Sequence, residues 1–452
     1  MSNRVKWVLK LIIPVLYLLV AHRSIGQSAP LNIKDAIDIA LANNRSLRAD
    51  SLNISISDDK NKQLAALYRP QVNYSSSTEY NPAIPSQMLP GSVAGQADKD
   101  LVQVQFGTRY SMKSGVEVTQ TLFRKDLKLQ IKSAGLQMDI AKTKHSLTKE
   151  ELVYQVASLY YGLQTYAEKI RSTRFDYNNM KEVLGISKAQ YENGILKRID
   201  YESLEINVAN LESQLNQLQT TYHDQLAYFN YLLGLPADNE TTISEAISRE
   251  MQVPETGNFL TQREDIRLSS QLITAKEVEL NSIRAEKAPA INSYFRYNYQ
   301  SQFNDAGKVF NSDYLSKGST LGVSVSIPIL DGNRRKSRIN AARTELDQLK
   351  LKSEYQREQA AMELYSSKGT LNNNLREYEI TKRNLDLASK VFTSRKALYT
   401  EGVTTLTELL DAERELSKAR DLHMQALINV QTGRLDVHKA NGTLLTDYLN
   451  TI

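Results

Sequence analysis

The stretch "YTEGVTTLTELLDAERELSKA", Tyr399–Ala419, decides how this chain is read. One helical pattern stops at Gly402 and another begins just after it. A glycine at that place suits a helix end that must turn through the left-handed region, so its first role is the turn itself. About two hundred residues earlier stands "YENGILKRIDYESLEINVANL", Tyr191–Leu211. Both stretches open with Tyr, place Gly three residues on and carry an acid six residues after the Gly. Lys188/Lys396, Ala189/Ala397, Glu205/Glu413 and Gly234/Gly442 keep the same offset of about 208 residues. A fixed period of this kind marks a duplication.

Working outward, each half repeats one order of elements. In the first half a helical pattern runs from Leu31 to Tyr68, with Ile33, Ala36, Ile37, Ala40 and Leu41 on one face, and Pro70 ends it. The period then becomes two. "PQVNYSSSTEY" and "VQVQFGTRYSMKSGVEVTQTLF" read as strands separated by a Pro-, Gly- and Ser-rich loop, Asn81–Gly95. In the second strand Val102, Val104, Phe106, Thr108, Tyr110, Met112, Val116 and Val118 share one face, and Arg109, Lys113 and Glu117 the other. A proline-free helical stretch follows from about Arg124 to Tyr191, which would be about 100 Å long if unbroken. Gly194 breaks it, and a return helix runs from about Asp200 to Gly234. The second half repeats this order: a helix over about Arg263–Lys287, strands in "INSYFRYNYQSQF" and in "LGVSVSIPIL" (Leu321–Leu330), a long helix over about Arg334–Tyr399, the break at Gly402 and a return helix to Gly442.

The chain has 452 residues, long enough for two domains or one large repeated one. Arg4, Lys6 and Lys10 followed by the apolar run "LIIPVLYLLVA" (Leu11–Ala21) predict a signal peptide over 1–26, cleaved after Gly26. Gln27, not Cys, stands after that cut, which argues against a lipid anchor there. The leader carries Arg4, Lys6, Lys10 and Arg23 and no acid. The remainder therefore holds 52 basic and 51 acidic side chains, a near balance that gives no reason to expect nucleic acid. There is no cysteine, which excludes disulfides and thiol chemistry. No apolar run beyond the leader approaches 18 residues, so a membrane can be entered only as a barrel.

Strands with one apolar and one polar face resemble outer-membrane strands. Four cannot close a barrel, and an open edge cannot face lipid. The chain must therefore oligomerise if its strands enter a membrane. A soluble four-stranded sheet packed on helices gives no reason for helices of about 100 Å. A secreted coiled-coil scaffold leaves the strands unexplained.

The duplicated Tyr-x-x-Gly tip, with its downstream acid and Leu/Ala helix, and the strand-to-helix passage "SVSIPILDGNRRKSRI" resemble the TolC-type outer-membrane efflux channels. The resemblance runs from "LNIKDAIDIALANN" to "KANGTLL". It implies a mainly α fold with a membrane β-barrel portion. Three protomers would share a twelve-stranded barrel and form an α-barrel tunnel through the periplasm. The domains expected are a first repeat over 27–235, a linker over 236–262 in an equatorial region and a second repeat over 263–452. The homotrimer would contact outer-membrane lipid and meet a periplasmic adaptor (membrane fusion) protein and an inner-membrane pump. The duct itself would be no enzyme, with no cofactor, no resident metal and no nucleic acid. Small-molecule efflux is the cargo expected first, and protein secretion by a type I system is the alternative.

The resemblance also implies where the periplasmic gate lies. Its residues here are Asp200 in the first repeat and Tyr399, Glu408 and Asp411 in the second. Glu408 and Asp411 are three apart and share a helix face. Inward carboxylate rings in a trimer would favour cations. The family's basic residue two after the second glycine is replaced by Thr404, so Lys197 or Arg198 of the other tip is the expected positive partner. Tyr191, Gly194, Gly402 and Thr404 form the tip turns, where the adaptor would dock. Asp200 and Asp411 also suit helix caps or a solvated face, at most about 1 kcal/mol each, and Tyr191 and Tyr399 suit plain packing. Catalysis finds little footing. His145, His223, His423 and His438 lie in helical patterns without an H-E-x-x-H pairing, and "GSVAGQ" lacks the Lys-Ser/Thr ending of a phosphate loop.

Overall fold

A computed structural model describes residues 30–244, 263–308 and 312–449. The expected signal peptide and most of the expected linker lie outside the described residues. Helices α1 (Ile33–Asn43) and α2 (Arg45–Ala66) lead into β1 (Gln71–Tyr80), a short hairpin of β2 (Ser86–Pro90) and β3 (Leu101–Gln105), and β4 (Tyr110–Arg124). Then come α3 (Lys125–Glu192) and α4 (Arg198–Leu233). The second half supplies α5 (Glu264–Ala285), β5 (Ala290–Phe303), β6 (Leu315–Ser326), α6 (Arg334–Thr400), α7 (Leu406–Asn441) and a short α8 (Leu444–Leu449). The chain is mainly helical, with α3 and α6 spanning 68 and 67 residues.

The compact units do not follow the repeats. One consists of residues 1–51, 143–267 and 355–452, the other of 52–142 and 268–354, so each draws on both halves. The strand-bearing unit holds an antiparallel four-stranded sheet in the order β1-β4-β5-β6. Two neighbouring rows of its register show the alternation across all four strands. Val72, Val118, Phe295 and Leu321 form one row, and the next row is Asn73, Glu117, Arg296 and Thr320. Arg296 donates to Glu117 at 2.6 Å in that polar row. The alternation of the sequence thus becomes one apolar and one polar face of a sheet. Much of the apolar face is bare within one protomer: Val72, Tyr74, Leu321 and Val323 are all exposed. Below the sheet, Leu280, Ile283, Ala342 and Leu346 join α5 to α6 in a small core.

In the other unit α1, α3, α4 and α7 bury Ile37, Leu163, Phe229, Leu233 and Leu435 together. Asn32 caps α1 by accepting from the Asp35 N–H at 2.9 Å. A second core nearer the glycine breaks joins α3 and α4 to α6 and α7 through Met180, Leu204, Phe392, Tyr399, Leu409 and Leu416.

Three expectations need correction. The first helical pattern is two helices, not one. Asn44 leaves the helical region, caps the next helix by accepting from the Leu47 N–H and donates to the Leu232 carbonyl, both at 3.0 Å. The strand expected to run without a break from Val102 is split: β3 pairs with β2 inside the expected loop, and Phe106–Arg109 lies between β3 and β4. Gly107 takes φ +125° there. The interruption has an even number of residues, so parity survives it and the sequence pattern hides it. The last strand starts at Leu315 and ends at Ser326, not Leu330. Its partner β5 begins only at Ala290, opposite Ser326, just after Pro289, so Ile327–Leu330 find no neighbour to pair with.

Candidate functional site

The two helix breaks fold alike. Gly194 and Gly402 both adopt φ +74°. At each, the glycine N–H bonds back to the tyrosine carbonyl three residues earlier, Tyr191 at 2.9 Å and Tyr399 at 3.0 Å. The following N–H reaches one residue further back, Ile195 to Gln190 and Val403 to Leu398, both at 2.9 Å. Spare carbonyls at the ends of α3 and α6 are thereby satisfied. Gly234 and Gly442 end α4 and α7 in the same left-handed conformation, φ 73° and 74°. A Cβ at Gly402 would touch nothing within 4 Å, so the demand for glycine is purely one of backbone conformation. Gly402→Ala is expected to cost about 1–2 kcal/mol, the left-handed penalty of an L-residue. Thermal unfolding of the purified protein checks it, and an unchanged midpoint would contradict it.

The second tip is the better built. Thr405 caps α7, its hydroxyl accepting from the Glu408 N–H at 3.3 Å while the Glu408 carboxylate accepts from the Thr405 N–H at 3.4 Å. Thr404 also donates its hydroxyl to Glu408, and Arg395 of α6 reaches both, Thr404 Oγ1 at 3.2 Å and Glu408 Oε2 at 3.3 Å. The Thr404 hydroxyl, then the Thr405 N–H and then Arg395 hold the Glu408 carboxyl below its ordinary range. Loss of the cap in Thr405→Ala should cost about 0.5–2 kcal/mol and speed amide exchange in the first turn of α7. Unchanged exchange at Leu409 would mean that the cap contributes nothing.

The first tip has no such box. Lys197 occupies the N-cap position of α4 without a side-chain cap bond. Arg198 pairs along its own helix with Glu202 at 2.7 Å, and Tyr191 stacks on Tyr201 with centroids 5.5 Å apart. Asp200 lies in the first turn of α4, half-buried. Among the described residues no ion pair within one protomer joins Lys197 or Arg198 to Glu408 or Asp411. Asp411 pairs with Arg414 one turn on. The basic group on Glu408 is Arg395, which the spacing argument missed because it lies on the long helix, seven residues before Gly402. Thr404 is therefore more than a lost base, since it bridges Arg395 and Glu408.

Tyr399 is buried, 5% exposed, and its hydroxyl shares a 2.8 Å bond with Ser187 Oγ. It ties α6 to α3 inside the protomer. Lys396 makes a second tie, to Asn179 at 3.0 Å and Glu182 at 2.8 Å. Further along the bundle, Asp176 of α3 and Arg420 of α7 form an ion pair whose side chains are only 5% and 15% exposed. Glu413 of α7 is buried as well and accepts from Asn207 Nδ2 of α4 at 3.5 Å. The histidines serve packing and pairing: His423 lies under Tyr378 beside Thr381, and His145 faces Asp50 at 3.2 Å.

Comparison with known proteins fits this geometry. The model of the family described as "Outer membrane efflux protein" matches residues 36–235 and 257–443, one segment in each half. The toluene efflux pump outer membrane protein TtgF of Pseudomonas putida is 23% identical over 91% of this chain and 83% of its own. Outer membrane protein TolC of Escherichia coli is 22% identical over 73% of this chain and 69% of its own. Among solved structures, the Campylobacter jejuni CmeC outer membrane channel superposes with a TM-score of 0.75 at 15% identity, covering 91% of this chain and 85% of that one. With both halves matched by one family model and the fold shared with such channels, this chain belongs to the outer membrane efflux protein family.

Proposed function

We propose that three copies of this chain form the outer-membrane exit duct of a tripartite efflux system. The observation that carries this reading is the sheet. Its rows alternate apolar and polar across four strands, and β1 and β6 are left as open edges. Open edges in lipid leave backbone groups unsatisfied at several kcal/mol each, so sheets of several protomers must join. Three make twelve strands, enough to enclose a lumen. The apolar rows then face lipid, and the row of Glu117 and Arg296 faces the lumen.

On this reading the repeats, 27–235 and 263–452, supply the α-barrel in equal shares, with 236–262 as the equatorial link. The tips at Gly194 and Gly402, with Tyr191 and Thr404, form the periplasmic mouth and receive the hairpins of an adaptor protein, behind which an inner-membrane pump supplies the energy. Asp200 and Asp411 face the axis. Glu408, held by Arg395 and Thr404, locks the second hairpin, and an iris-like movement of the hairpins opens the mouth. The duct is passive and catalyses nothing. One relative is named as a toluene efflux pump protein and another as a probable efflux pump protein, which favours small-molecule efflux over protein secretion. The test is the mass and conductance of the purified protein. A trimer in detergent that inserts into bilayers and conducts ions supports the proposal; a monomer that stays in the soluble fraction refutes it.

A further inference from the structure

Glu413 is unlike the other acids near the tips. Its repeat counterpart, Glu205, is exposed, whereas Glu413 is 4% exposed within the core that joins the two hairpins. Among the described residues its one hydrogen-bond partner is the Asn207 amide at 3.5 Å, long for a hydrogen bond. Two acceptors of the same polar cluster, Asn207 Oδ1 and Asp176 Oδ1, are buried without a partner. Arg420 donates to the other Asp176 oxygen, Oδ2, and leaves these two acceptors unmet. A carboxylic acid at Glu413 would supply a donor, since the neutral form carries an O–H that the ion does not. Turning over the Asn207 amide presents Oδ1 to that donor.

We propose that Glu413 is a proton-operated latch between the two helical hairpins: protonated, it lies neutral in the core that joins them and the tips stay closed, and ionised, it sets a poorly paired charge in that core and favours opening. The latch rests on the duct reading above and adds its regulation. Burial drives the Glu413 carboxyl above its ordinary range against the pull of the Asn207 amide bond, and the Asp176 carboxylate adds to the rise, while Arg420 and Arg414 oppose it. These are the charged groups that act on Glu413 from α3 and from α7 itself. From α4 it meets the uncharged Asn207, and α6 brings Leu385, Ala388, Phe392 and Tyr399 to this core, the last with its hydroxyl already engaged by Ser187. Because the folded carboxyl keeps its proton to higher pH than the unfolded one, its contribution is fully present in acid. It is lost as pH rises from the ordinary glutamate range through the raised value.

The test compares the full-length protein with Glu413→Gln, which keeps the shape and fixes a neutral donor. In planar bilayers the wild type should open more often at pH 7.5 than at pH 5, with Glu413→Gln closed alike at both. In Asp176→Asn the opening midpoint should move to lower pH. Amide exchange of α4 and α7, as a ratio of wild type to Glu413→Gln, should rise about fivefold from pH 5 to 7.5, the size of one buried hydrogen bond. If both proteins conduct and respond alike to pH, the latch is overturned and the duct stands. If neither conducts, the duct reading fails, and the exchange ratio alone decides the latch: a constant ratio overturns it.

Discussion

Replacing Arg420 with alanine is expected to destabilise the protein by about 3–5 kcal/mol, the cost of breaking a buried ion pair from one side. Its partner Asp176 is 5% exposed and belongs to a different hairpin. Burial alone drives the Asp176 carboxyl above its ordinary range, and Arg420 is the group that opposes this. Without the guanidinium the carboxylate must either remain charged in an apolar core or take up a proton, and both cost free energy at neutral pH. The loss should therefore shrink as pH falls and Asp176 neutralises. Removing both partners separates pairing from packing. Asp176→Leu with Arg420→Met should be less damaging than Arg420→Ala alone, because a pair replaced by apolar side chains leaves no orphaned charge. Urea or thermal unfolding at fixed protein concentration, needed because assembly shifts apparent stability, measures all three. An Arg420→Ala protein as stable as wild type would show that the pair does not hold the hairpins together.

Much of this architecture was legible because its signals are periodic. The amphipathic alternation of β1, β4 and β5, the proline-free spans of α3 and α6, and the glycines at one offset each express a repeated physical demand. The breaks at Asn44 and at Phe106–Arg109 are local devices, and neither changes the period around it. The end of β6 depends on where β5 begins, information that no reading of β6 alone contains. The candidate site divides the same way. Gly194 and Gly402 could be read from their place in the repeat, since the left-handed turn demands them. Arg395 could not, because an arginine on a long charged helix looks like any solvated residue until the fold sets it beside Glu408. Arg420 and Glu413 were hidden for a related reason: "LLDAERELSKARD" reads as a solvated face with i,i+4 pairs, and only packing against α3 and α4 shows which of its charges are buried.

Leu321→Arg is expected to cost about 2–4 kcal/mol of folding free energy in a bilayer, the penalty for a basic side chain near the midplane of a lipid-facing strand. Within one protomer Leu321 is 80% exposed. If water covered it, the change would stay within about 0.5 kcal/mol of wild type. The prediction therefore asks what solvent the apolar rows meet. Ser324→Arg supplies the contrast, because Ser324 lies on the opposite face of the same strand, opposite Asn292, where a lumen would hydrate the charge. Refolding both variants into lipid vesicles across a urea series gives the two free energies, and heat-modifiable oligomer bands in an outer-membrane fraction give the same ranking in cells. A large loss for Leu321→Arg with little for Ser324→Arg fits a sheet that turns its apolar rows to lipid. Equal, small losses would mean that water bathes both faces, and the reason for closing three sheets into one barrel would be gone.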